Sequence, residues 1–236
     1  MSDWKAKRFW KEVSVSENPE GFGIMLDDRP VRTPAKKPLH VPTRGLAEAI
    51  AREWAAQEGV IDPRRMPFTR TANAAVDKVA VQKVEVADML AAYGDADLLC
   101  YRAEHPESLV VRQSAEWDPM LDWAEEALGA RLEVRSGVMH VPQDAGVLDN
   151  LRERVHRLSV FELAAFHDLV SLTGSLILGF AATTDRFSPK AIWQISRLDE
   201  IWQAEEWGRD DDAEAAAALK ETAFLNSKRL YDLLHD

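Results

Sequence analysis

The sequence is poor in the residues that most chemistry requires. A single cysteine, Cys100, excludes an internal disulfide and points to a reducing compartment. The histidines are His40, His105, His140, His156, His167 and His235. No two of them stand four residues apart, so no helical zinc-ligand pair exists. Positive charge is scarce as well. Lys and Arg total 29 against 40 Asp and Glu, a net charge of -11, which leaves no basic face for the phosphates of a nucleic acid. No GxxxxGK[ST] loop is present. The longest apolar run, residues 169–182, includes Ser171, Thr173 and Ser175 and falls short of the ~20 residues a membrane helix needs. It reads as a buried core helix. The opening Met1-Ser2-Asp3-Trp4 has neither the apolar stretch of a secretory signal nor the Arg- and Ser-rich character of a transit peptide. The expected compartment is therefore the bacterial cytoplasm, or the mitochondrial matrix for a eukaryotic chain.

What is present falls into two parts. Residues 1–45 read as a β-rich domain. Residues 12–16 alternate polar and apolar, and residues 21–26 follow a Pro19-Glu20-Gly21 turn. A second turn spans 27–30. Residues 30–34 and 38–42 are bracketed by proline, which lacks a ladder donor and so belongs at strand edges or ends. Residues 46–236 read as mainly α-helical. Thr43 caps a helix running to Gln57, with Leu46, Ile50, Ala51 and Trp54 on one face. Residues 71–93 form one or two helices, stopped at Gly94-Asp95. Residues 107–128 form another, with a break expected at Pro119. A β-hairpin is expected near 131–141, turning at Ser136-Gly137. Helices follow over 146–157, 159–182, 189–207 and 210–234. Ser159 with Glu162 makes a capping box, and Ser188-Pro189 an N-cap with proline in the first turn. The fold class is α+β, a small N-terminal β-rich domain followed by a larger helical one.

The candidates for catalysis are few. Cys100 sits among apolar neighbours, where cysteine behaves as a small hydrophobe. Asp118 and Asp122 share a helix face and could serve a hydrolase as paired carboxylates, although such pairs are more often a solvated acidic face. His167 on a buried-looking helix is more often a satisfied core side chain than a ligand. Gly21-Phe22-Gly23 lacks the third glycine of a nucleotide fingerprint and opens no helix. Gly174 and Ser175, inside a helical run, are expected to let helices pack closely.

The segment 197–212 is the most informative. Ile195, Leu198, Ile201, Trp202 and Glu205 fall on one helical face. Trp202 and Trp207 stand among acidic residues with no His, Cys or Ser nearby, which suits holding a protein better than performing chemistry. Gly208 offers a helix stop, and residues 210–212 supply the cap and negative first turn of the next helix.

Motifs along the whole chain resemble an assembly chaperone family, the one that binds the alpha subunit of the F-type ATP synthase catalytic head. They are Arg8-Phe9-Trp10-Lys11, residues 26–34, Glu53-Trp54-Ala55-Ala56-Gln57, Met66-Pro67-Phe68-Thr69-Arg70, residues 97–102, Gln113 with Trp117-Asp118-Pro119, residues 171–175, and the helix ending at Trp207-Gly208. The resemblance implies a non-enzymatic chaperone without cofactor or metal. It would be a monomer that holds the free alpha subunit and shields its beta-facing surface until displaced. It also implies that the acidic position after Leu198, here Asp199, matters to function. The partner-binding residues expected on this basis are Asp199, Glu200, Trp202, Gln203 and Trp207. Trp54, Gly174 and Gly208 are expected to be structural. The alternative is a carboxylate- or cysteine-dependent hydrolase.

Overall fold

A computed structural model describes residues 7–137 and 139–236. Trp4 and Val138 thus lie outside the described residues. The chain divides into two compact units. One joins the N-terminal stretch through Lys83 to Ser159–Ala165 and Arg229–Asp236; the other comprises Val84–Leu158 and Phe166–Lys228. Neither unit ends at residue 45.

The first unit is built on a hairpin of β1 (Val13–Asn18) and β2 (Gly21–Leu26), paired from Val13↔Leu26 to Asn18↔Gly21. The turn is closed by Asn18, whose Oδ1 accepts from the Glu20 N–H at 2.9 Å. Gly21 is obligatory there. Its φ is +121°, and a Cβ would lie 2.5 Å from the Val41 carbonyl oxygen. β3 (Arg29–Pro30) and β4 (His40–Val41) both pair antiparallel with β2, at its two ends. Period-two alternation turns Ile24 and Leu26 inward, where they meet Trp10, Val31, Leu39 and Val41. Helix α1 (Arg44–Ala55) lays Leu46, Ala47 and Ile50 on this core. That packing carries the unit past residue 45: α1 and α2 (Pro67–Ala74) bury their apolar stripes on the sheet. Thr43 caps α1 by accepting from the Leu46 N–H at 3.3 Å. Glu53 reaches the start of α2, accepting from the Phe68 and Thr69 N–H groups at 2.7 and 2.8 Å. Trp54 is partly buried at the core edge, 5.3 Å edge-on to Trp10. After a single π turn (Ala75–Val79) the chain enters α3 (Lys83–Ala91).

The second unit centres on α4 (Glu107–Leu128). The expected break at Pro119 does not occur. Trp117, Met120, Leu121 and Trp123 are buried on both sides of it. Their packing keeps the helix continuous past Pro119, which cannot donate to the Ala115 carbonyl. Nor do the described residues of 131–141 pair with one another as a hairpin. β6 (Arg135–Ser136) pairs in parallel with β5 (Tyr101–Arg102). The Gln143 amide takes the place of a strand partner, accepting from the Glu133 N–H at 2.8 Å and donating to its carbonyl at 2.9 Å. Next comes α5 (Ala145–Arg157).

Residues 159–182 are not one helix. α6 (Val160–Thr173) stops at Gly174, which adopts φ +69°, and α7 (Leu176–Ala182) restarts under the Ser175 cap. Gly174 therefore breaks the helix; the nearest neighbour of a Cβ there would be Leu98, 4.0 Å away. The Ser159–Glu162 capping box forms, with contacts of 2.7 and 3.3 Å. Residues 189–207 likewise divide, into α8 (Pro189–Ser196) and α9 (Leu198–Trp207), at Arg197. α10 (Asp211–Leu233) completes the chain; α6 and α10 each contribute residues to both units.

Candidate partner-binding surface

α9 is anchored from below. Leu198 and Trp202 are buried, one turn apart. Asp199, beside them, is half-buried. Its Oδ1 accepts from the Gln113 Nε2 at 2.8 Å, and Gln113, itself buried, accepts from the Ala103 N–H at 2.8 Å. Asp199 thus ties α9 to α4. Trp117 makes a parallel tie, its indole N–H donating to the Ile195 carbonyl at 3.0 Å. Arg112 pairs with Glu205 and holds that carboxyl below its usual range. Asp199 and Glu200 occupy the first turn of α9, where the helix dipole favours negative charge.

The other face is open. Glu200 is exposed and paired with Arg197 at 2.7 Å; Gln203 is exposed. Trp207 is 75% exposed. Among the described tryptophans it is the one in that class. It is held by the buried Trp202, ring centroids 5.8 Å apart at 81°. Gly208, at φ +96°, ends the helix. Asp210 then caps α10, accepting from the Asp212 and Ala213 N–H groups at 2.9 and 3.0 Å. The first ten residues of α10 stay exposed except Ala217, which is half-buried. Between these elements lies a groove of about 590 Å³, touched by Trp193, Arg197, Gln203, Trp207, Ala213 and Ala217.

The expected surface residues are therefore placed unequally. Glu200, Gln203 and Trp207 face outward, whereas Asp199 and Trp202 hold the helix from beneath. The residues that tie α9 down, Arg112 and Gln113, come from α4, remote in sequence. Only the Gln113-to-Trp117 motif signalled any of them in advance.

The hydrolase candidates do not assemble. Cys100 is buried and apolar surroundings push its thiol up to about 12, far from a thiolate nucleophile. Asp118 is paired with the buried Arg102 at 2.8 Å and Asp122 with the exposed Arg131 at 2.7 Å, so each carboxylate is engaged in a separate ion pair. His167 leans on Asp168 at 3.0 Å, a contact that raises its pKa. Among the described residues no three potential ligands converge as a metal would need. Gly21 and Gly23 are hairpin positions and cradle no phosphate.

A family model, described as ATP12 chaperone protein, matches residues 7–125, about half of the chain. The chain belongs to the ATP12 chaperone family. The crystal structure of Atp12 from Paracoccus denitrificans is 50% identical, with a TM-score of 0.95 over 98% of this chain and 100% of that one. The Atu1473 protein of Agrobacterium tumefaciens is 40% identical, with a TM-score of 0.93 over 97% and 86%. Protein atp12, mitochondrial, of Schizosaccharomyces pombe is 26% identical over 225 residues, 88% of this chain and 75% of that protein. Family membership makes the chain a chaperone and not an enzyme, and the hydrolase alternative falls with it. No helix among the described residues is long and apolar enough to cross a membrane.

Proposed function

We propose that this chain is an assembly chaperone of the F-type ATP synthase. It binds the free alpha subunit, one to one and in the bacterial cytoplasm, through the outer face of α9 and the start of α10. It covers the alpha surface that later meets beta, then yields to beta. The observation that carries this reading is Trp207, a large aromatic kept in solvent by a buried aromatic beneath it. Exposed tryptophan is disfavoured on an unpartnered surface and enriched where partners bind. Membership of an assembly-chaperone family is consistent with this partner, and the resemblance of the motif series supports it.

The reading assigns distinct roles. Trp207 is the anchor. Glu200 and Gln203 are polar contacts beside it. Asp199 acts indirectly by fixing α9 to Gln113. An unassembled alpha subunit exposes an apolar interface meant for beta, and such patches aggregate. An acidic rim around one aromatic anchor gives fast, selective encounter without an affinity that beta could not displace.

Binding of purified alpha subunit by the chain and by its Trp207→Ala variant tests this. The loss expected is at least ~2 kcal/mol, about 30-fold in Kd, with an unchanged circular dichroism melt. Equal affinities would move the binding surface elsewhere.

A further inference from the structure

The groove beside Trp207 has a charge as well as a shape. Its floor is apolar, formed by Trp193, Ala204, Ala213 and Ala217. Ala213 and Ala217 stand one turn apart, so α10 presents a shallow methyl stripe to it. Its rim is acidic. Glu200, Glu205, Asp210, Glu214 and Glu221 line it against two cations, Arg197 and Arg209, so five minus two leaves three net negative charges. Both arginines are already engaged, Arg197 with Glu200 at 2.7 Å and Arg209 with Glu214 at 3.4 Å. Glu205 is engaged by Arg112 from outside the groove. Glu221 makes no ion pair among the described residues, and neither does Glu206, one residue before Trp207. The N-terminus of α10 would ordinarily attract an anion, but Asp211, Asp212 and Glu214 in its first turn already occupy that field.

Resting on the function proposed above, we infer that the groove receives a partner segment of one chemistry: an aliphatic side chain flanked by Lys or Arg. The aliphatic group lies between Trp207 and the alanine stripe. The flanking cations meet Glu221 on the rim and Glu206, which lies outside the groove lining between the lining residues Glu205 and Trp207. A neutral segment leaves these carboxylates uncompensated, and an acidic one adds like-charge repulsion, so the rim rejects both. The same repulsion disfavours a second copy of this chain, whose net charge is -11. It also disfavours an anionic lipid surface.

Two synthetic peptides test this, one of alternating Lys and Leu and its counterpart of alternating Glu and Leu. Each is titrated onto the full chain and followed by tryptophan fluorescence. The basic peptide is expected to bind, about ten-fold more weakly to the Glu206→Gln/Glu221→Gln double variant and more weakly again in high salt. The acidic peptide is expected to give no saturable change. Equal binding of both peptides, or of the basic peptide to the chain and the double variant, overturns the inference. So does a concentration-dependent dimer that Glu221→Lys dissolves. The Gln variants keep size and remove only charge, and a thermal melt confirms their fold. The two readings fail separately. If Glu206→Lys/Glu221→Lys captures alpha as well as the parent while Trp207→Ala does not, the charge assignment is wrong and the partner stands. If the basic peptide binds as expected and alpha is not captured, the groove chemistry stands and the partner is wrong.

Discussion

Asp97 shows how much one buried carboxyl can hold. Its two oxygens accept from the Leu99 N–H at 3.0 Å and the Ile177 N–H at 3.1 Å, joining the 97–102 motif to the start of α7. Burial outweighs these bonds and raises its pKa from 3.8 to about 6. The native state therefore holds this proton more tightly than the unfolded chain. The stability it contributes is complete below about pH 4 and is lost as pH rises through about 6. A carboxyl-carbon NMR titration should give a midpoint near 6 for Asp97; an ordinary aspartate midpoint near 4 would contradict this burial. Cys100 lies three residues on, buried and with its thiol pushed up to about 12. A thiol reagent at neutral pH should label it only after denaturant is added, and labelling of the native chain would show the site to be open. Both residues belong to a motif that sequence alone could mark but not explain. Its buried carboxyl acts internally by seating the start of α7.

At the scale of elements, α6 and α7 pack closely at Gly179. Gly179 on α7 faces α6, and a Cβ there would come within 2.5 Å of Val170 Cγ2 and 3.4 Å of the Phe166 ring. Valine cannot swing away along a flexible stem, so Gly179→Ala should destabilise the chain by about 1–3 kcal/mol in urea unfolding. An unchanged midpoint would mean the two helices are free to separate. Local signals showed where such elements begin and end with unequal success. Caps read well: Thr43, Ser159 with Glu162, and Asp210 act through bonds within three residues. The hairpin of β1 and β2 read well too, because alternation and the turn at Asn18 are both local. Pro119 misled because the force that keeps α4 continuous is packing by neighbours distant in sequence. The 131–141 segment misled because its strand partner is 101–102 and its remaining pairing comes from the Gln143 side chain. The surface on α9 was legible as a stretch of aromatics and acids. Trp202 shares the apolar face with Leu198, and both are buried, but the inward tie of Asp199 was not legible, since its partner Gln113 lies on α4, remote in sequence.

For the whole molecule, the buried polar and charged side chains are spent on structure. Glu53 caps α2, Gln113 bridges Ala103 to Asp199, and Arg102 spans Leu99 and Asp118. These residues build a scaffold, and among the described tryptophans the scaffold presents one, Trp207, as exposed in an acidic setting. On the reading proposed above, the chain works by exchange: it occupies a sticky surface, and the permanent partner replaces it. The most direct test is a pull-down of alpha and beta subunits of the cognate ATP synthase, expressed separately and offered in turn to the immobilised chain. The account predicts capture of alpha, no capture of beta, and release of alpha when beta is added. Capture of neither, with alpha shown to be folded, would contradict it, as would equal capture of both.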